Sequence, residues 1–193
     1  ADIPVPDYTA ALGEGIKGLR IGVPQNYFFE EVQPSVKSAV TAAIATLESV
    51  GAKIVDIKLE HFGDAVLPTF FSIVMPEAAT FHQKTFRERG HEYGADVREL
   101  LETGELCLAT TYIAAQRNRS AIKASLEAAL AKVDVLLTPT LPVTAARVGQ
   151  QTYRWKSREE PVFAACARFL APFNLAGLPA ISIPCGFSED GMP

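Results

Sequence analysis

Between Leu19 and Leu59 the chain reads as strand, helix and strand joined by short links, and that order leaves few folds open. Leu19-Arg-Ile-Gly-Val-Pro24 is a short apolar run stopped by proline, which predicts a buried strand. Pro34 stands where a helix can begin, because its missing N–H would have no partner there in any case. Val36, Val40, Ala43, Ile44, Leu47 and Val50 follow at steps of three and four, one apolar stripe. Gly51 then suits the left-handed residue that ends a helix. Ala52-Lys-Ile-Val-Asp-Ile-Lys-Leu59 alternates apolar and polar, a second strand with one wetter face. A unit of this kind is expected to be parallel and right-handed, so the fold class is α/β.

The remaining segments continue the alternation. Residues 63–90 are expected to be helical with breaks near Pro68 and Pro76, and residues 95–132 to form one or two long helices. Asp134-Val-Leu-Leu-Thr-Pro-Thr140 predicts a third strand, and residues 141–158 a loop holding the only tryptophan, Trp155. Glu159 to Leu175 reads as a helix whose early carboxylates suit its positive end. Ala180 to Phe187 reads as a fourth strand. With no internal repeat or linker in view, residues 1–193 form one α/β layer system or most of one.

Several function classes fall away at this point. A net charge of −4 with scattered basic residues, Arg117 and Arg119 being the nearest to a cluster, gives no field for nucleic acid or an anionic membrane. No apolar run approaches the length that spans a bilayer, so no membrane partner is expected. Cys107, Cys166 and Cys185 are an odd set without metal-ligand spacing. They suggest buried thiols in a reducing, cytoplasmic compartment.

Short motifs are uninformative by themselves. Gly13-Glu-Gly-Ile-Lys-Gly18 matches a phosphate-binding string, but a loop precedes it and a strand follows it, the reverse of what a dinucleotide needs. His61, His82 and His91 have no ligand spacing, so neither a metal nor a cofactor is expected. No serine sits in a nucleophile elbow. Glu77, in an otherwise apolar helical stretch, reads either as an acid following a helix break at Pro76 or as part of an internal network.

The most specific feature lies near the end of the chain. Pro172-Phe-Asn-Leu-Ala-Gly-Leu-Pro-Ala-Ile-Ser-Ile-Pro-Cys-Gly-Phe187 reads as a helix end, a Gly/Pro turn and a buried strand. Together with Leu19–Pro24 and Asp134–Thr140, in order and spacing, it resembles the second half of amidase signature proteins. That family includes general bacterial amidases and the A subunit of tRNA-dependent amidotransferases. The resemblance implies a mixed β-sheet flanked by helices, of which residues 1–193 would be the C-terminal part. The catalytic N-terminal half and the last strand and helix would lie outside it.

The resemblance also implies a Ser nucleophile, a second Ser on a cis peptide and a Lys base, all in the half that precedes Ala1. No catalytic residue is therefore assigned here. What it implies for this stretch is the substrate-pocket wall: Glu105, Thr138, Phe163 and Ala167. Glutamine-using members are expected to carry an Arg where this chain has Glu105 and an Asp where it has Ala167, seven residues before Asn174. Losing both charged partners disfavours a zwitterionic substrate. The expectation is thus a fragment of an amidase that converts small-molecule carboxylic amides to acid and ammonia or amine, inactive without the N-terminal half. The alternatives are a fragment of an amidotransferase of the glutamine-using kind, a stand-alone non-catalytic binding or assembly module, and, less favoured, a thiol hydrolase using Cys185. Exposed sheet edges on an incomplete fold suggest a homo-oligomer.

Overall fold

The computed structural model describes residues 4–10, 12–156 and 158–193. Strand β1 (Arg20–Pro24) leads through a loop to helix α1 (Pro34–Ser49) and then to β2 (Lys53–Ile57). Helices α2 (Val66–Arg89), α3 (Ala95–Glu105) and α4 (Ala109–Leu130) follow, then β3 (Val135–Leu136). A hairpin of β4 (Thr152–Arg154) and β5 (Glu159–Pro161) precedes α5 (Val162–Arg168) and α6 (Ala171–Ala176).

The β1–α1–β2 expectation holds. β1 lies at the centre of a three-stranded sheet ordered β2-β1-β3, parallel to both neighbours. Pro34 opens α1, and Gly51 follows its C-cap with φ +105°. Gly22 is required by the sheet itself: a Cβ there would meet side-chain carbons of Leu136 at 2.8 Å and of Ile57 and Val133 at 2.9 Å. At the N-terminal end of the pairing, the Arg20 guanidinium donates to Asp134 Oδ1 at 2.7 Å and to the Lys132 carbonyl at 2.9 Å. This contact, with a further bond from the Arg20 amide, holds the Asp134 carboxyl below its ordinary range.

The main core forms where α2, α4 and α6 pack beside the sheet. Phe28, Val66, Ile122, Leu126, Phe169 and Leu175 are its buried centre. Each large apolar side chain buried in this way contributes about 1.5–3 kcal/mol. Phe28 gathers Phe169 and Phe173 around it at centroid separations of 5.3 and 5.6 Å. A smaller cluster of Val143, Tyr153 and Ala165 joins the hairpin to α5.

Several expectations need correction. α2 does not break at its prolines. Pro68 sits in its first turn, where no N–H partner is lost, and Pro76 lies inside a helix that continues to Arg89. Pro76 cannot donate to the carbonyl of Ser72, and the Cys107 thiol approaches that carbonyl at 3.9 Å instead. Glu77 is therefore an exposed mid-helix residue rather than an acid following a break, and Tyr112 Oη donates to it at 2.8 Å. Cys107 lies between α3 and α4 and not within a helix. Nor are all three thiols buried: Cys107 and Cys166 are half-buried and Cys185 is exposed.

The stretch expected as one helix from Glu159 to Leu175 is a strand and two helices. Glu159 and Glu160 pair across the hairpin with Arg154 and Tyr153, so they cap nothing. α5 ends at Arg168, and Pro172, in the first turn of α6, has no N–H to offer the Arg168 carbonyl. The third strand shrinks to Val135–Leu136, and the supposed loop 141–158 contains β4. Residues 180–187 form no strand. They run extended and exposed, and among the described residues none of their backbone groups finds a partner in the chain. The α/β class stands: among the described residues the three-stranded sheet is parallel and the β4–β5 pair antiparallel.

Candidate functional site

In a parallel sheet, ligands gather beyond the carboxyl ends of the strands. Here that edge is built by the loop after β1 and the segment after β3. The loop of residues 25–33 is pinned at several points. Asn26 clasps the backbone of Leu59 through two hydrogen bonds of 3.0 Å. Gln33 donates its amide to the Pro142 carbonyl at 2.8 Å, and its side-chain oxygen accepts from the Thr144 amide at 3.0 Å. Two non-glycine residues in the loop, Tyr27 and Glu31, hold left-handed φ values of +68° and +49°. Such conformations persist only where surrounding contacts enforce them.

Thr138 lies on the segment that Gln33 holds, two residues past β3, and is half-buried. Phe163 and Ala167 lie one turn apart on α5 and share a face. Phe163 is 56% exposed, and its ring stacks on Phe71 of α2 at 5.3 Å. Ala167 is half-buried. Glu105 ends α3 and is exposed. Its place is set by Gly104, where a Cβ would meet the Met75 carbonyl oxygen at 2.3 Å, so α3 sits hard against α2. The structure thus brings Phe163 and Ala167 together and ties both, through α2, to the end of α3 that carries Glu105. Thr138 stands apart from them, on the segment after β3 that Gln33 of the loop after β1 holds farther on, at Pro142 and Thr144. Two adjoining clefts between α2 and α4, about 240 and 410 Å³, share Ala65, Thr69 and Asn118. None of the four candidate residues lines either cleft, so these clefts and the candidate wall are separate surfaces.

The reading of the residues alone misses a buried ionic cluster behind α5. Arg168 is 5% exposed and Glu160 2%. Arg168 Nη1 donates to the Glu30 carbonyl at 3.0 Å and Nη2 to the Glu31 carbonyl at 2.9 Å. Its Nε lies 3.2 Å from Glu160 Oε1, close enough for charge attraction but not aligned as a hydrogen bond. Trp155 Nε1 donates to the other Glu160 oxygen at 2.8 Å, and Arg158 bridges Glu160 to Glu31 at 3.3 and 2.7 Å. The Arg168 carbonyl, left without its helical donor by Pro172, accepts from Tyr27 Oη at 2.7 Å. Burial pushes the Tyr27 phenol far above its ordinary range, so it remains a donor. One signal could have exposed this cluster: an arginine inside the apolar run from Val162 to Phe173 must find a partner.

Comparison with known proteins identifies the scaffold. The family model described as Amidase matches residues 1–193. The chain belongs to the amidase family. It is 44% identical over 192 residues to an amidase of Pseudomonas putida, covering 99% of this chain and 41% of that protein. It is 35% identical over 216 residues to the A subunit of the glutamyl-tRNA(Gln) amidotransferase of Thermosynechococcus vestitus, covering 99% and 43%. This amidase-family chain therefore spans about two-fifths of the length of the curated relatives it matches. Among solved structures, an amidase crystal structure superposes with a TM-score of 0.78 at 27% identity, over 93% of this chain and 41% of that one. A bacterial aryl acylamidase gives a TM-score of 0.80 at 20% identity, over 97% and 41%, a likeness of fold. Among the described residues, no helix is long and apolar enough to cross a membrane, and no group of three or more His, Cys, Asp or Glu could hold a metal.

Proposed function

We propose that this chain is the C-terminal part of an amidase that hydrolyses carboxylic amides to acid and ammonia or amine. In this reading it supplies scaffold and substrate-pocket wall, through Glu105, Thr138, Phe163 and Ala167. The nucleophile and its base come from another stretch of the same polypeptide. The observation that carries the reading is the identity pattern: 44% to an amidase, against 35% to the corresponding chain of an amidotransferase. The chemistry of the wall agrees with it. Phe163 offers an exposed ring and Ala167 a methyl group, while Glu105 is an anion that would repel a substrate carboxylate. Such a wall suits a neutral acyl group better than the zwitterion of glutamine.

The test is an assay of ammonia release by the full-length gene product on small aliphatic amides, aryl amides and glutamine. Turnover of the simple amides, with glutamine slower by about a hundredfold or more in kcat/KM, is expected. Glutamine as the preferred substrate would transfer the chain to the amidotransferase branch, and no amide turnover at all would end the proposal.

A further inference from the structure

We propose that Arg168 is a positioning residue for the pocket wall, locking α5 to the strained loop after β1 and thereby fixing how Phe163 and Ala167 meet a substrate. The inference rests on the amidase reading only for the meaning of the wall; the lock itself rests on geometry. Arg168 is the residue after Ala167, at the end of the helix that carries both wall residues. Its guanidinium donates to the loop carbonyls of Glu30 and Glu31. Its own carbonyl takes the hydroxyl of Tyr27. The side chain and the backbone of one residue therefore grip both of the loop's left-handed residues, Tyr27 and Glu31.

The charge arrangement favours a lock over a soft contact. A buried guanidinium must be matched, and Glu160 supplies the anion from the adjacent strand β5. Glu160 is in turn oriented by Trp155 and Arg158. Two planar groups, the Arg168 fork and the Trp155 indole, lie 5.7 Å apart in cation–π contact. A lysine cannot reproduce this set, since it lacks the forked donors that reach two carbonyls at once. Loss of the fork frees α5 to shift, and a shift of the wall changes substrate fit before it changes the reacting groups.

The experiment uses the full-length gene product with Arg168→Met and Arg168→Lys. KM for aliphatic and aryl amides is measured beside kcat, with hydrogen exchange followed in peptides from 25–33 and 159–168. For both variants KM is expected to rise about tenfold with kcat within about threefold, and exchange to quicken in both segments. Exchange across 109–130 stays as in the parent. Unchanged KM, or a fall in kcat alone, overturns the proposal, as does full rescue by lysine. Should both variants be insoluble, Arg158→Gln loosens the rim of the same cluster, and a rise of about threefold in KM with faster exchange at 25–33 is expected. No change in either measure sinks the idea. If the parent turns over no amide, the amidase reading fails by itself; exchange then decides the lock, with slow, unaltered exchange in the variants overturning it.

Discussion

The stretch Arg20–Pro24 and residues 180–187 are built from similar materials and meet different fates. Both are short, carry β-branched apolar residues, contain a glycine and are marked by proline. The first is the central strand of the sheet, with Ile21 and Val23 buried and a parallel neighbour on each side. The second carries Ile181 at 88%, Ile183 at 69% and Phe187 at 75% exposure. It touches the fold at few points, among them the Ser182 hydroxyl 2.8 Å from Thr140 Oγ1. The difference teaches that a strand is a property of a pair. Apolar residues and β-branching make a segment suitable for pairing, but burial and hydrogen bonds come from a neighbour.

The comparison can be broken at its strong end first. Gly22→Val places side-chain carbons where Leu136, Ile57 and Val133 already are, and should cost about 1–3 kcal/mol or more in urea unfolding. A stable variant would mean that β1 is not tightly packed between its neighbours. A middle-sized effect is expected from Asp134→Asn, which weakens the clip beside β1. Because the folded Asp134 pKa lies below its ordinary 3.8, its contribution is present above that value and fades as pH falls through the lowered one. The stability curves of parent and variant should therefore converge at acidic pH and separate toward neutrality; parallel curves would remove Arg20–Asp134 as a contributor. The smallest effect belongs to Ile183→Lys, within about 0.5 kcal/mol, since nothing buried is disturbed. The same change should lower any self-association of the purified chain in sedimentation, and a large stability loss would show that residues 180–187 pack closely against the fold.

Local pattern carried the first half of the fold well. The stripe of α1, its proline start and glycine end, and the alternation of β2 are all contained within a few residues of one another, and each was legible. The errors gather where a distant partner decides. Glu159 and Glu160 look like the start of a helix until β4 pairs with them. Arg168 looks like one charge in an apolar helix until Tyr27, 141 residues away, meets its carbonyl. For the site, family likeness supplied positions that composition could not. The structure adds the reason two of them move together: Phe163 and Ala167 share one short helix, fixed from behind by charge. Thr138 and Glu105 sit on separate supports, and no local pattern could have related them.

Pro76 has one more consequence. In mechanical terms α2 is a beam with its compliance concentrated at a single joint, where the bond from position 76 to the Ser72 carbonyl cannot form. That joint lies just beyond Phe71, whose ring bears on Phe163. The Cys107 thiol, a weak donor, is a poor brace for it. The close seat of Gly104 against the Met75 carbonyl falls inside the same span, between Ser72 and Pro76, so bending of α2 at this joint would carry the end of α3 with it.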